Sequence, residues 1–486
     1  MTPTPDRRAA TTGAPGALPG ADDTIAAVAT PAGRGAVALV RLSGGEAFAV
    51  AARVVRPWPL ADRVATLCAV RESGSDALLD RALVTAFAGA RSYTGEPLVE
   101  IATHGGVVVP AAVLAALVRA GAREALPGEF TRRAVLHGKM DVVQAEAVAD
   151  LVDARSGAMH RAALAQLDGG LSRRVARLRE ELLQVEALLA YDIDFPEEDD
   201  GPVPAERIAD AAARVLAQLD ALLATAPAGE VVRDGALVVI AGAPNAGKSS
   251  LFNALLGRSR AIVTSVPGTT RDALEATVDA GRWPLRLVDT AGLRETSDVV
   301  ERLGIEVSER YLADAQVVLA CGETDAGVAE CVARVRALTA APVMAVRTKG
   351  DLIEGRGTRE EARGAPEGEQ TLPPSSLFPV SPLVVSAETG EGLAALLAAV
   401  GEAIAARYGG VAVDMPLVTR ERHRRALAEA RDEVRAFAEA WAAGELPAVV
   451  AAVHVRAAVG ALELLIGAVG VEDVLDRVFR TFCVGK

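Results

Sequence analysis

The spacing of apolar residues changes along this chain, and the changes divide it. Between residues 24 and 139, short runs that read as strands (Ala36 to Leu42, Leu98 to Ala102) are mixed with an Ala/Leu/Val helix near Pro110 to Ala120. That mixture predicts an α+β domain. From Asp141 the period lengthens. Val143, Ala147 and Leu151, then Leu164, Leu167, Leu171, Val175, Leu178, Leu182, Val185 and Leu189, recur at three and four, which predicts amphipathic helices packed together. The acidic segment YDIDFPEEDDGPVP stops them, a second helix is expected from about Ala205 to Ala224, and Pro227 to Gly229 closes the region.

From 232 to 406 strand and helix alternate, as in an open, mostly parallel sheet. Near its end Glu354 to Pro382 is dense in Gly, Glu, Arg, Pro and Ser and reads as a mobile insertion. Helices return after Tyr408. The expected division is a disordered tail (1–22), an α+β domain (23–139), the first part of a helical domain (140–231), an inserted α/β domain (232–406) and the second helical part (407–486). The fold class is thus multidomain α/β plus α.

Composition narrows the function. Of 486 residues, 51% are hydrophobic but only 3% aromatic; no run approaches the ~20 apolar residues of a membrane span, so no membrane association is expected. The first twenty-odd residues lack the apolar segment of a signal peptide. Four cysteines (Cys68, Cys321, Cys331, Cys483) without a C-x-x-C suggest neither a disulfide framework nor a zinc site, as expected of a cytoplasmic protein. A net charge of −13 repels nucleic acid on average, so an RNA partner needs a local basic face. Only four of the 51 basic residues are lysines (Lys139, Lys248, Lys349, Lys486), and the only asparagines are Asn245 and Asn253. A lysine in so arginine-rich a chain points to a site that needs a compact ammonium.

The chemistry centres on ALVVIAGAPNAGKSSLFNALL, where Gly242, Gly247, Lys248 and Ser249 fit G-x-x-x-x-G-K-[ST]. There the backbone of Asn245, Ala246, Gly247 and Ser250 can cradle phosphates at a helix N-terminus. Four signals follow in order. Gly268-Thr269-Thr270 follows the loop Thr264-Ser265-Val266-Pro267 and offers a hydroxyl to magnesium. The strand Leu285 to Val288 delivers Asp289-Thr290-Ala291-Gly292, an acid for the metal's water shell and a glycine for the γ-phosphate. Another strand delivers Thr348-Lys349-Gly350-Asp351, in which Asp351 can pair with the donor edge of guanine while the Lys349 stem lies along the base. A last strand ends in Ser386-Ala387-Glu388, whose backbone can meet the guanine O6. GTP and Mg2+ are the expected ligands. Two positions depart from the common pattern: Thr348 stands where Asn usually braces the loop, and Leu293 where a water-orienting Gln usually stands.

GAPNAGKSS, GTTRD, DTAGLRETSDVVERLGIE and the terminal FCVGK, together with PAGRGAVALVRLSGG, GEFTRRAVLHGKMD and IDFPEE, resemble the bacterial tRNA-modification GTPase family MnmE (TrmE) from about residue 24 onward. The resemblance implies an N-terminal dimerisation and folate-binding domain, and a helical domain carrying an inserted Ras-like GTPase domain. It implies K+ held by Asn245, Thr264, Val266 and Thr269, Mg2+ held by Ser249 and Thr270, and Glu301 orienting the attacking water, with Lys248 also catalytic. It further implies 5-formyl- or 5,10-methylene-tetrahydrofolate held by Arg41, Glu100, Lys139 and Lys486. The partners implied are a second copy of the chain, tRNA, and an FAD-bearing MnmG (GidA)-type flavoprotein in a heterotetramer.

Other residues keep two readings. Cys483 is a nucleophile or a packed thiol, and His104 reads as a turn residue rather than a catalyst. TRERHRR (Thr419 to Arg425) is either a tRNA-facing patch or a solvated helix end. An Era- or Der-like ribosome-assembly GTPase would share the nucleotide motifs but needs a KH-like tail or a second GTPase unit, and neither appears. A GTP-gated folate-binding scaffold would need the sites but not the hydrolysis.

Overall fold

The computed structural model describes residues 23–194, 204–258, 274–280, 283–289, 310–352, 381–409, 416–444 and 447–467, with 478, 482, 484 and 485. The chain divides into two units, Met1–Ala145 with Gly470–Lys486, and Glu146–Val469.

The first unit is built on a seven-stranded sheet ordered β3-β4-β5-β6-β2-β1-β7. Its strands are β1 (Ile25–Val28), β2 (Val37–Ser43), β3 (Val55–Arg56), β4 (Thr66–Arg71), β5 (Leu78–Phe87), β6 (Leu98–His104) and β7 (Arg123–Glu124). Along β2 the period of two sends Ala38, Val40 and Leu42 into the core and Val37, Leu39 and Arg41 to the other face. The inward residues pack under α1 (Ala47–Val54) and α2 (Val108–Arg119). On the opposite face α3 (Glu129–Leu136) lays Phe130 against Ile25 and Ala27. The sequence reading missed β4 and β5 because Leu67 and Leu83, 62% and 51% exposed, blur the alternation that marks a half-buried strand.

The second unit joins long helices to an α/β sheet. After α4 (Val142–Asp153) come α5 (Gly157–Leu167), α6 (Gly170–Asp194), α7 (Ala205–Leu223) and α8 (Ala226–Asp234). Leu171, Val175, Leu178, Leu182, Val185 and Leu189 form one buried stripe on α6. Two expectations need correction. Leu164 is exposed, because α5 turns Ala158, Ala162, Ala163 and Gln166 inward instead. Pro227 to Gly229 opens a helix rather than closing one, since a proline in the first turn gives up only an N–H that has no intrahelical partner. A Cβ on Gly229 would stand 2.2 Å from the Val418 carbonyl oxygen, which explains the glycine.

The sheet order is β13-β12-β11-β8-β10-β9. Strands β8 (Ala236–Gly242), β10 (Trp283–Asp289), β11 (Val317–Gly322), β12 (Val343–Arg347) and β13 (Leu383–Val384) run parallel, and β9 (Leu274–Ala280) is antiparallel to β10. Helices α9 (Lys248–Arg258), α10 (Asp325–Arg336) and α11 (Leu393–Tyr408) connect or follow them. One core cluster runs without a break from Val238, Ile240 and Leu285 to Ala162 of α5 and Ala228, Val231 and Val232 of α8. The chain ends its helical part with α12 (Glu421–Ala443) and α13 (Ala448–Ile466).

An 18-residue window within Ala205–Asp234 and the stretch Val449–Ile466 have mean hydropathies of 1.3 and 1.9, enough to cross a membrane by length and composition, a test that the core helix of a soluble protein also passes. Alanine and valine raise the mean, while Ala451, Val455, Ala458, Leu462 and Leu465 of α13 are buried in the bundle with α6 and α12.

Candidate functional site

The candidate nucleotide site lies where β8, β10, β11, β12 and β13 end. Strand β8 runs into the loop 243–247 and α9 starts at Lys248. Asn245 and Gly247 both take left-handed φ values, +61° and +75°, and this winds the loop tightly before the helix. A Cβ at Gly242 would stand 2.6 Å from the Cys321 carbonyl oxygen, so β8 and β11 approach closely beneath the loop. The Lys248 ammonium is buried and donates to the Ala243 carbonyl at 2.8 Å. The Ser249 hydroxyl donates to Asp289 at 2.6 Å, and Asp289 is the fully buried last residue of β10. A hydroxyl and a carboxylate in contact beside a phosphate-shaped loop are the donor set a magnesium ion with its water shell needs. Asn245 and Ser250 are exposed on the loop and on α9, whereas Ala246 is buried.

Across the sheet edge, Thr348 is buried and ties the base loop to the phosphate loop. Its backbone N–H donates to the Gly322 carbonyl at 2.9 Å. Its hydroxyl hydrogen is shared between the carbonyls of Ala246 (2.9 Å) and Gly322 (3.2 Å). A threonine therefore braces the loop where the common pattern places asparagine, with one hydrogen rather than two. Asp351 sits in the turn Gly350–Leu352 and accepts from the Ser386 hydroxyl at 2.6 Å, while Ser386 Oγ accepts from the Thr389 N–H at 3.1 Å. Ala387 and Glu388 lie in a separate turn that the Gly390 N–H closes on the Ser386 carbonyl at 3.0 Å. Lys349, at φ +55°, pairs its ammonium with Glu323, a residue that no nucleotide motif contains. Only its place, one residue beyond the apolar run of β11, signals Glu323 in the sequence.

Thr264, Ser265, Val266, Pro267, Gly268, Thr269, Thr270, Thr290, Ala291, Gly292, Glu301, Cys483 and Lys486 lie outside the described residues, as does the insertion 354–380.

In the first unit Arg41 and Glu100 face each other in register on β2 and β6, with Arg41 Nη2 and Nε 2.7 and 3.1 Å from Glu100 Oε1. The guanidinium lies 5.3 Å from the Tyr93 ring centre and 5.7 Å from that of Phe130, and it also donates to the Gly485 carbonyl at 3.4 Å. Lys139 donates to the Ala90 carbonyl at 2.8 Å, so Tyr93 and the Lys139 contact belong to one loop between β5 and β6. An arginine–glutamate pair flanked by an aromatic ring offers both polarities to a flat heterocycle. Burial pushes the Tyr93 phenol up. A cleft of about 720 Å³ opens elsewhere in this unit, lined by Val28, Pro31, Arg34 and Val107, and none of Arg41, Glu100 and Lys139 lines it. His104 ends β6 with Nδ1 2.8 Å from Asp80, so it is a strand residue rather than a turn residue.

TRERHRR divides: Arg420, Arg422 and His423 are tied into a partly buried acidic cluster, while Arg424 and Arg425 are the solvated helix end the sequence offers as one reading. Arg420 pairs with Asp150 at 2.6 Å, and Arg422 and the fully buried His423 meet Glu146 at 2.9 and 2.6 Å. Arg424 and Arg425 pair with Glu421. Burial pushes the Glu146 carboxyl up, but the hydrogen bonds and charges of His423 and Arg422 outweigh it and hold the group well below the usual carboxylate range. Burial lowers the His423 pKa, the hydrogen bond to Glu146 opposes that shift, and Nε2 donates to the carboxylate.

A family model described as the MnmE helical domain matches residues 142–483, and one described as the GTP-binding protein TrmE N-terminus matches residues 24–139. The tRNA modification GTPase MnmE of Moorella thermoacetica is 41% identical over 472 residues, covering 96% of this chain and 100% of that protein. The proteins of the same name from Thermus thermophilus and Methylorubrum populi are 42% and 44% identical, covering 96% and 97% of this chain and 99% of each relative.

Proposed function

Because this chain belongs to the MnmE family of tRNA modification GTPases, we propose that it hydrolyses GTP to support modification at C5 of the wobble uridine (U34) of certain tRNAs. The group installed is aminomethyl or carboxymethylaminomethyl, with its carbon taken from a tetrahydrofolate one-carbon unit. The redox step belongs to the FAD of an MnmG-type partner. The working form is a cytoplasmic homodimer within a heterotetramer, and its GTPase domain is the inserted segment 232–406.

The observation that carries the reading is the gathering of Lys248, Ser249, Asp289, Thr348, Asp351 and Ser386 at one edge of one sheet. In this reading the N–H groups of 245–250 and the start of α9 hold the phosphates. Lys248 leaves the Ala243 carbonyl for the β- and γ-phosphates, and Asp351, oriented by Ser386, accepts from the guanine donor edge. Ser249 and Thr270 would hold magnesium, and Asn245, Thr264, Val266 and Thr269 potassium, ions that would supply positive charge near the transferring phosphoryl group. The exposed Asn245 amide oxygen suits a hard cation. Glu301 orients the water in place of the missing glutamine at Leu293. Arg41, Glu100, Lys139 and Lys486 hold the folate, and Gly485 already touches Arg41.

GTP turnover per subunit, measured in potassium and in sodium buffer across protein concentration, tests this. A rate that is higher in potassium and rises with concentration supports potassium-dependent pairing of the GTPase domains. A rate indifferent to both overturns it.

A further inference from the structure

We propose that Glu323 is a positioning residue for guanine recognition, acting through Lys349. The proposal rests on the reading of Thr348 to Asp351 as the base loop. Strands β11 and β12 pair in parallel with Gly322 opposite Arg347, so Glu323 and the base loop leave the sheet side by side. The backbone of Glu323 is anchored. Its carbonyl accepts from Arg347 Nε at 3.3 Å, and the next residue, Thr324, caps α10 by accepting from the Gly327 N–H at 3.2 Å. Asp325 receives Arg347 as well, at 3.3 Å. The carboxylate that meets the Lys349 ammonium therefore springs from fixed main chain.

Lys349 needs such a partner. Its backbone takes a left-handed φ that few non-glycine residues adopt, and its four-carbon stem is the part expected to lie along the base. A free lysine stem loses rotamer freedom when a ligand orders it, and a partner that holds the ammonium beforehand removes part of that cost. With the Lys349 Cα held by the loop and its ammonium held by Glu323, the methylenes between are drawn out along the site. Thr348 ties the base loop to the Gly322 carbonyl through its N–H and its hydroxyl, and Glu323 adds a further tie just beyond the end of β11.

The pair is 40% and 44% exposed at its side chains, and an exposed pair of this kind contributes little on its own. Equilibrium binding of a fluorescent guanosine diphosphate to the full chain separates the cases, using wild type, Glu323→Gln, Lys349→Met and the double variant. Glu323→Gln is expected to raise the dissociation constant by about three- to fivefold, mostly through faster release, with an unchanged melting midpoint. In the Lys349→Met background, which keeps the apolar stem but lacks the ammonium, Glu323→Gln is expected to add nothing. Unchanged or tighter binding by Glu323→Gln overturns the proposal, and so does an equal weakening in both backgrounds. If wild type binds no guanosine diphosphate, the base-loop reading falls and the proposal with it. Wild-type binding without a Glu323 effect removes only the proposal.

Discussion

Removing the Thr348 hydroxyl isolates the link between the base loop and the phosphate loop. In Thr348→Ala the Gly322 carbonyl keeps the Thr348 backbone N–H, but the Ala246 carbonyl, part of a buried residue, loses the hydroxyl that meets it at 2.9 Å. A hydrogen bond is worth about 1 kcal/mol net, and a stranded buried carbonyl costs about 1–3 kcal/mol. Part of the site can relax toward water, so about 1–2 kcal/mol is expected, which corresponds to a 5- to 30-fold loss of nucleotide affinity. Thr348→Ser keeps the donor and loses only the methyl that packs near Gly247, so it is expected to stay within about threefold of wild type. Thr348→Asn supplies two N–H donors, one for each carbonyl, and is expected to bind at least as tightly as wild type. Stopped-flow release of a fluorescent guanosine diphosphate orders the four proteins. Equal release from Thr348→Ala and wild type would show that the hydroxyl carries no nucleotide-binding energy and would refute the reasoning.

Acid should weaken the helical part of Glu146–Val469 through His423. Its pKa lies below its ordinary 6.5 because burial opposes the charged ring, and Glu146 lies below its ordinary 4.5. Both groups therefore take up protons more readily unfolded than folded, so stability is fully present above about pH 6.5 and is lost as pH falls toward the folded values. The unfolding free energy from urea titration is expected to fall between pH 7.5 and 5, by up to about 1.4 kcal/mol per pH unit for each proton taken up, and to fall less in His423→Gln. A flat profile would refute this. Gly229→Ala places its Cβ 2.2 Å from the Val418 carbonyl oxygen, where neither backbone can yield freely, and is expected to cost about 1–3 kcal/mol in thermal or urea unfolding. A neutral Gly229→Ala would mean that α8 can slide away from Val418.

The readable parts of the sequence are those whose physics is local. The phosphate loop follows β8, and Asp289, Thr348 and Ser386 each come at or just after the end of an apolar strand run, so one linear pattern marks both the strand and the chemistry it delivers. The α6 stripe is legible because one helix supplies all of it. What escaped notice depends on partners distant in sequence. Arg422 and His423 look like a basic surface until Glu146 is brought against them from 276 and 277 residues away. Glu323 is unremarkable until strand pairing sets it beside Lys349, 26 residues on. Pro227 to Gly229 reads as the close of the region because the motif is the same whether a helix ends there or begins, and the close approach of Gly229 to Val418 that calls for the glycine is not visible locally. In each case the missing term is a tertiary contact that changes the meaning of a charge or a turn residue, and the sequence within a dozen positions carries no trace of it.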